Sequence, residues 1–120
     1  MKAIVLFAHG ARDPRWAAPF ERLQKLTQDA LPEVAVRLSF LEFMSPALPE
    51  LVADLAQQGC EQISVVPVFL GQGGHVLRDL PVMLDSLRID YPAIQFRHST
   101  AVGEDAAVLM AIRDYCVTQI

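Results

Sequence analysis

Apolar and polar residues follow two different periods along this chain, and segments of the two kinds alternate. Four segments are rich in apolar residues without helical spacing, which is typical of strands in a parallel sheet. They span Ala3–Ala8, Val34–Phe43, Ile63–Leu70 and Ile94–His98. The second segment alternates between apolar and polar side chains, so we expect an edge strand that exposes Arg37 and Ser39. In the third, Pro67 cannot donate to a sheet ladder, and we expect a bulge or an early strand end there.

Four other segments carry apolar residues at the spacing of an amphipathic helix. The predicted inward stripes are Ala17, Phe20, Leu23, Leu26 and Ala30; Leu48, Leu51, Val52, Leu55 and Ala56; Leu80, Met83, Leu84 and Leu87; and Val108, Leu109, Ile112, Tyr115 and Cys116. Asp13-Pro14 and Ser45-Pro46 are the predicted caps of the first two helices. Pro81 fits the third helix only if that helix begins near Asp79, which leaves Gly71–Gly74 as a loop.

Strands and helices that alternate in this way predict an α/β fold with three αβα layers around a four-stranded parallel sheet. If the second strand is an edge, the simplest strand order is 2-1-3-4, which is flavodoxin-like. The switch point of that order lies between strands 1 and 3, and ligands of such sheets bind there, beyond the carboxyl ends of the strands.

Composition limits the classes of function. The chain has 120 residues, 52% of them hydrophobic, and a formal net charge of −4. We expect one globular domain over residues 1–120. The acidic balance argues against general nucleic-acid binding. No apolar run approaches the ~20 residues of a membrane span, and the N-terminus does not resemble a secretory signal. Cys60 and Cys116 lack zinc spacing, so we expect buried reduced thiols in a cytoplasmic protein.

Candidate chemistry gathers at the predicted switch point. His9 ends the first strand, and His75 follows the third. Glu42 ends the second strand and His98 the fourth, where it is further from the switch point. Imidazole is a good ligand for cobalt, nickel, iron and zinc, and neutral histidine also accepts protons near pH 7. Glu42 is a candidate proton acceptor or metal ligand.

The surrounding residues favour an anionic ligand. Arg12 and Arg15 lie just past His9, and Arg78 lies just past His75. Guanidinium groups in these places suit a polycarboxylate or a phosphate. The glycines of Gly71–Gly74 allow close approach of a flat ligand, and the sequence there is neither a Walker A loop nor a dinucleotide fingerprint. No Gly-x-Ser-x-Gly elbow is present. The residues thus predict a metal-binding or proton-transfer site for an anionic substrate.

Three blocks of this sequence resemble the class II tetrapyrrole chelatases. The segment from Phe7 to Arg12 is similar to their His-Gly-Ser-Arg opening, with Ala11 where serine is common. Phe40–Pro46 resembles their second block, and Pro67–Pro81, the most specific, their third. The blocks occur in order across nearly the whole chain, and they are most similar to the short-form sirohydrochlorin chelatases.

This resemblance implies a function and a set of site residues. It implies that His9 and His75 ligate the incoming metal, with Glu42 as an assisting carboxylate. Arg12, Arg15, Arg78, Gly73 and Gly74 are then the candidates for contact with the tetrapyrrole. The implied metal substrate is Co²⁺, with Ni²⁺ or Fe²⁺ as alternatives, and no organic cofactor is implied. Short-form members pair as homodimers, so a second copy is the implied partner.

Two other functions remain open at this point. A metal carrier that delivers cobalt or nickel without chemistry would use the same two histidines. A histidine phosphatase also begins with His-Gly after a first strand, but it carries an arginine directly before that histidine, where this chain has Ala8.

Overall fold

The computed structural model describes residues 1–71 and 74–120, and for residues 74–77 it describes the backbone alone. Four strands form the sheet: β1 (Lys2–Ala8), β2 (Ala35–Phe40), β3 (Gln62–Pro67) and β4 (Gln95–His98). Four helices surround or extend it: α1 (Ala18–Ala30), α2 (Leu48–Gln57), α3 (Gly74–Asp90) and α4 (Ala106–Val117). Two short 3-10 turns, Pro14–Ala17 and Val102–Glu104, precede α1 and α4.

The sheet is parallel throughout, in the order β2-β1-β3-β4, and this confirms the predicted topology. β3 ends at Pro67, which has no N–H to donate to the ladder, although the next N–H, that of Val68, still donates to the Phe7 carbonyl of β1 at 2.8 Å. The early strand end predicted from this proline is confirmed.

Helices cover the sheet on both faces. α2 and α3 pack on one face, where Val5, Phe7 and Ile63 contribute to the main core with residues such as Leu55 and Leu84. On the other face α1 and the turn before it form a smaller cluster around Ala8, Ala17 and Phe40. The stripes predicted for α2 and α3 are confirmed, since Leu48, Leu51, Val52, Leu55, Leu80, Leu84 and Leu87 are buried.

Several local predictions are wrong. Ser45 does not cap α2: the N-cap is Ala47, which makes no side-chain cap hydrogen bond, and Pro49 occupies the first turn instead. α3 begins at Gly74 rather than near Asp79, so Pro81 lies inside the helix. Ser39 is fully buried rather than exposed, because the chain between β2 and α2 lies against it: the Ser39 hydroxyl and the Phe40 N–H both donate to the Pro46 carbonyl at 3.1 Å.

Two of the predicted inward stripes also differ. In α1, Leu26 and Ala30 are exposed, and the half-buried face includes Leu23, Gln24 and Gln28. In α4 no residue is buried, so the stripe that was predicted to face the core lies on the surface, and Cys116 is exposed. Cys60 is a buried free thiol, as predicted.

Candidate functional site

The site is built where β1 and β2 end side by side. Backbone pairing continues past the strands: the Leu41 N–H donates to the Ala8 carbonyl at 2.9 Å, and the Glu42 N–H donates to the His9 carbonyl at 3.0 Å. The two segments therefore leave the sheet in register. This fixes His9 and Glu42 as neighbours although 33 residues separate them in sequence.

His9 and Glu42 are joined by their side chains. The Nε2 atom of His9 lies 2.7 Å from Oε1 of Glu42, and each side chain is about half exposed, at 49% and 48%. An ionised carboxylate can only accept a hydrogen bond, so Nε2 carries the proton. In the neutral ring this leaves the lone pair on Nδ1 available for a cation.

Gly10 makes this arrangement possible. Its φ is +96°, in the region that side-chain-bearing residues rarely adopt, and a Cβ at this position would collide with the carbonyl oxygen of Glu42. Glycine therefore serves two needs at once: it turns the chain after His9, and it lets the backbone of Glu42 approach.

Aromatic rings support the other side of His9. The ring of Phe69, which follows β3, meets the His9 ring edge-on, with centroids 6.1 Å apart and planes at 77°. Phe69 in turn packs edge-on against Phe7 of β1, with centroids 6.3 Å apart. His9 thus lies between a carboxylate from the β2 end and a ring from the β3 end, which is the switch point that the topology predicts.

Phe43 belongs to the rim, and sequence reasoning missed it. It is the one described non-glycine residue with a positive φ, 66°, and it is 57% exposed. The guanidinium of Arg12 stands 5.0 Å from its ring centroid. In the sequence Phe43 is the last residue of the predicted second strand, Val34–Phe43, but β2 ends at Phe40, so Phe43 lies outside the strand. The rim therefore presents an aromatic plane and a cation beside the His9–Glu42 pair.

The other two arginines differ in their surroundings. The Arg15 guanidinium donates hydrogen bonds to the Asp13 carboxylate. Its Nη2 lies 2.7 Å from Oδ2, and its Nε lies 3.1 Å from both carboxylate oxygens. This hydrogen bonding lowers the pKa of Asp13 below its ordinary value. Asp13 caps the 3-10 turn by accepting from the Arg15 N–H, whereas the N-cap of α1 itself is Ala17, so the cap predicted for the first helix belongs to the turn before it. Arg78 is an exposed residue of α3.

The third block of predicted site residues lies where the structure describes only part of the chain. Gly73 lies outside the described residues, Gly74 is the first residue of α3, and His75 is the second, with its side chain outside the description. Among the side chains that are described, no group of three or more His, Cys, Asp or Glu is placed to hold a metal. Of the residues predicted to ligate the metal or to carry protons, His9 and Glu42 are thus the two whose side chains the structure describes.

His98 stands apart from this pair. It is paired with Val65, which is paired with Val5, so His98 is level with a residue four positions before His9. At ~3.3 Å per residue and ~4.8 Å between strands, the two histidines are ~13 Å apart along the strands and ~10 Å across them. Although β4 ends at the same edge of the sheet, its shorter length keeps His98 away from the site.

Comparison with known proteins gives one family and several relatives. A family model described as CbiX matches residues 3–118. The sirohydrochlorin cobaltochelatase of Methanopyrus kandleri is 37% identical over 84 residues, which cover 70% of this chain and 59% of that protein. The sirohydrochlorin cobaltochelatase of Methanosarcina acetivorans is 28% identical over 88% of this chain and 86% of its own length. The chain spans less than two thirds of the first of these relatives.

Solved structures share the fold. A cobalamin (vitamin B12) biosynthesis CbiX protein from Marinobacter aquaeolei matches 99% of this chain and 97% of its own, with 31% identity and a TM-score of 0.88. The sirohydrochlorin chelatase SirB from Bacillus subtilis subspecies spizizenii, in complex with cobalt, matches 95% of this chain and 49% of its own, with 28% identity and a TM-score of 0.75.

Proposed function

The chain belongs to the CbiX family, and from that premise we propose that it is a sirohydrochlorin chelatase, a lyase-type enzyme that inserts a divalent metal into this tetrapyrrole. The observation that carries the proposal is the His9–Glu42 pair at the switch point of the sheet. An imidazole held by a carboxylate is a common way to orient a metal ligand and raise its basicity. The relatives named as sirohydrochlorin cobaltochelatases support the substrate.

The proposed mechanism assigns a different task to each side chain. The macrocycle loses two pyrrole protons and gains one divalent cation. His9 offers Nδ1 to the cation while Glu42 holds Nε2–H, and His75 is the proposed second ligand. As the metal leaves the imidazole for the ring, the freed imidazole nitrogen and the Glu42 carboxylate accept the two pyrrole protons. The pair is half exposed, so solvent can then carry both protons away.

The anionic substrate gives the rim a role. The carboxylates of sirohydrochlorin need cations, and we propose Arg12, Arg15 and Arg78 for this, with Gly73 and Gly74 as points of close approach. Arg12 is the strongest of these candidates because its guanidinium is beside the site, over the Phe43 ring. Arg15 is already bonded to Asp13, so we expect it to contribute less.

We propose Co²⁺ as the metal substrate, for cobalamin biosynthesis or a siroheme-type pathway, with Ni²⁺ and Fe²⁺ as alternatives. The names of the relatives and the SirB complex with cobalt support this choice. A related SirB structure from Bacillus subtilis holds Fe³⁺. Imidazole accepts all three metals, so intrinsic affinity does not make the selection.

We further propose that residues 1–120 form one chelatase-like domain that acts as a homodimer in the cytoplasm. A flat tetrapyrrole on this open rim leaves one side uncovered, and a second copy supplies a cover. The buried free thiol of Cys60 fits a reducing compartment. No described helix is long and apolar enough to cross a membrane.

A metal-insertion assay tests the activity. Purified chain is mixed with sirohydrochlorin and Co²⁺, Ni²⁺ or Fe²⁺, and the absorbance change of insertion is followed. We expect His9→Ala to lower kcat/KM by at least 100-fold. His98→Ala is the matched control, because the register places that histidine away from the pair, and it should keep the wild-type rate. No rate above the uncatalysed background with any metal would refute the chelatase, and tight cobalt binding without turnover would favour a carrier.

Glu42 is tested by its effect on His9. Removal of a carboxylate that orients a metal-binding histidine costs 10–100-fold in affinity or activity, to order of magnitude. We expect Glu42→Ala to lose about that much, and Glu42→Gln to lose less because the amide oxygen can still accept from Nε2–H. Glu61→Gln is the control, since Glu61 is an exposed carboxylate before β3, at the opposite edge of the sheet. Equal activity of Glu42→Ala and wild type would show that the carboxylate is not part of the mechanism.

A further inference from the structure

The backbone directly after Glu42 is strained. Phe43 has a φ of 66°, and the Met44 N–H donates to the Glu42 carbonyl at 2.8 Å. A hydrogen bond between residues two apart, around a residue with a positive φ, defines a classic γ-turn, which is rare and strained. Strain of this kind persists only where surrounding contacts fix the backbone, and it is concentrated at functional sites. The place of this turn, beside the His9–Glu42 pair, therefore points to a role in the site.

Hydrogen bonds hold the chain on both sides of the turn. Before it, the N–H groups of Leu41 and Glu42 bond to the residues at the end of β1. After it, the chain has folded back on β2, where the Phe40 N–H donates to the Pro46 carbonyl at 3.1 Å. Residues 43–45 must therefore reverse the chain between two fixed points. A γ-turn reverses the chain within three residues, so the strained conformation is imposed by contacts that lie outside the turn.

The Glu42 carbonyl is enclosed from two directions. Gly10 lies so close to it that a Cβ there would collide with the oxygen, and the Met44 N–H bonds to the same oxygen. The Met44 side chain packs with Ala8 in the smaller cluster on the α1 face, whereas the Phe43 ring stays on the exposed rim. The peptide group that follows Glu42 is thus fixed by the end of β1 and by the α1 side of the sheet.

The fixed backbone matters because the Glu42 side chain has little else to orient it. The side chain is 48% exposed, and within the described part of the chain its one hydrogen bond is to His9. Ordering a glutamate side chain that solvent can reach costs conformational entropy. The direction of the Cα–Cβ bond therefore decides how often the carboxylate reaches Nε2 of His9, and the turn sets that direction.

The other neighbour of His9 is held without such a turn. Phe69 lies in a segment whose described residues have no positive φ. Ordinary contacts fix that segment: the Gly103 N–H donates to the Phe69 carbonyl at 2.9 Å, and a Cβ on Gly103 would collide with the Leu70 carbonyl oxygen. Among the described neighbours of His9, backbone strain is thus found on the side that supplies the carboxylate.

We propose that Phe43 is a positioning residue for Glu42, and that the γ-turn it forms aims the Glu42 carboxylate at Nε2 of His9. The role belongs to the backbone at position 43 and is separate from any contact that the ring makes at the rim. It rests on the proposed function in one respect, the use of Nδ1 of His9 as a metal ligand. Glycine has no handedness and forms the classic γ-turn without strain, so it can replace phenylalanine in this role.

The first test compares two variants that differ in whether they permit the turn. Phe43→Gly and Phe43→Val both lack the ring, but Phe43→Val opposes the turn because a β-branched residue is disfavoured at positive φ. The dissociation constant for Co²⁺ is measured by calorimetric titration of the 120-residue chain. We expect Phe43→Val to bind Co²⁺ about tenfold more weakly than Phe43→Gly, the lower end of the loss caused by removing a group that orients a metal-binding histidine.

A double-mutant cycle shows whether this effect passes through the carboxylate. In a Glu42→Ala background, Phe43→Gly and Phe43→Val should bind Co²⁺ equally, because the turn no longer has a carboxylate to aim. Equal affinities with Glu42 present, or the same ratio with and without it, would overturn the proposal. Phe43→Ala adds a Cβ without the branch. It should show a smaller loss of the same sign, and it replaces Phe43→Val in both tests if that variant does not fold.

The second test measures the pair itself. In crystal structures of the two variants, we expect Nε2 of His9 and Oε1 of Glu42 to stay within hydrogen-bond distance in Phe43→Gly and to lie more than about 3.5 Å apart in Phe43→Val. A pair that stays bonded in Phe43→Val would contradict the proposal. This distance depends neither on cobalt binding nor on metal insertion, so a failed insertion assay would refute the chelatase and still leave the positioning role decided by this measurement.

Discussion

Gly10 is the residue at which backbone conformation and the site are most directly connected. Alanine there meets two costs: the positive φ, worth about 1–2 kcal/mol for a residue with a side chain, and the collision with the Glu42 carbonyl. Gly59 has a similar φ of +82° but open space around it. We expect Gly59→Ala to cost only the first amount, and Gly10→Ala at least about 1 kcal/mol more, in thermal or urea unfolding. Equal losses would mean that the β2 connection can shift away at no cost.

Phe43 has a backbone conformation that disfavours its own side chain. Phe43→Gly removes the cost of the left-handed φ and loses a cation–π contact worth about 0.5–1 kcal/mol at an exposed site. We expect the free energy of unfolding to stay within about 1 kcal/mol of wild type, while the KM for the proposed tetrapyrrole substrate rises several-fold because the ring no longer offers a plane to the macrocycle. A large loss of stability with unchanged KM would make the ring a structural residue.

At the scale of elements, two glutamines of α1 bond the backbone of the edge strand β2 and the turn before it, and Gln28 makes most of these bonds. The Gln28 side chain donates to the carbonyls of Val34 and Leu31 at 2.7 and 2.9 Å, and it accepts from the Val36 N–H at 3.1 Å. Gln24 makes one such bond, to the Val36 carbonyl at 3.0 Å. These bonds replace the ladder partners that an edge strand lacks on its outer side.

Deleting the two glutamines separates these contributions. A net hydrogen bond is worth about 0.5–1.5 kcal/mol, so we expect Gln28→Ala to destabilise the chain by about 2 kcal/mol and Gln24→Ala by about 1 kcal/mol. Both are helix positions where alanine is favourable, so propensity does not explain a loss. Chemical denaturation measures both values. If Gln24→Ala costs as much as Gln28→Ala, the bonds at the α1–β2 connection are not what holds the edge strand.

The sequence predicts best those helices whose inward face is entirely apolar and packs on one continuous core. The stripes of α2 and α3 face one continuous core, so period alone identifies Leu55 and Leu84 as inward. The α1 prediction is wrong at Leu26 because glutamines take part in the inward face through hydrogen bonds to the backbone, which a count of apolar residues does not detect. The sequence predicts the start of α3 too late because proline is typical of the first turn of a helix, whereas α3 accommodates Pro81 in its interior.

At the scale of the whole molecule, topology was predictable and the last helix was not. The alternating second strand predicts an edge, for which 2-1-3-4 is the simplest order, and this order brings the carboxyl ends of the strands, with His9 and Glu42, to one edge of the sheet. Whether the apolar residues of α4 are buried depends on what packs against the helix. Periodicity reports that a face is apolar, but it does not distinguish a core within one chain from a contact between two, and Tyr115 and Cys116 carry the same signal in either case.

The contact of Gly103 with Phe69 and Leu70 ties the base of α4 to the rim of the site. In the proposed homodimer with its proposed tetrapyrrole substrate, thermodynamic linkage would make association and ligand binding reciprocal. If dimerisation raises the affinity for tetrapyrrole by some factor, then bound tetrapyrrole raises the affinity of one copy for the other by the same factor. A flat ligand at the rim of this small domain would act as an effector of its assembly, and the amount of protein in solution would set how strongly the ligand is held.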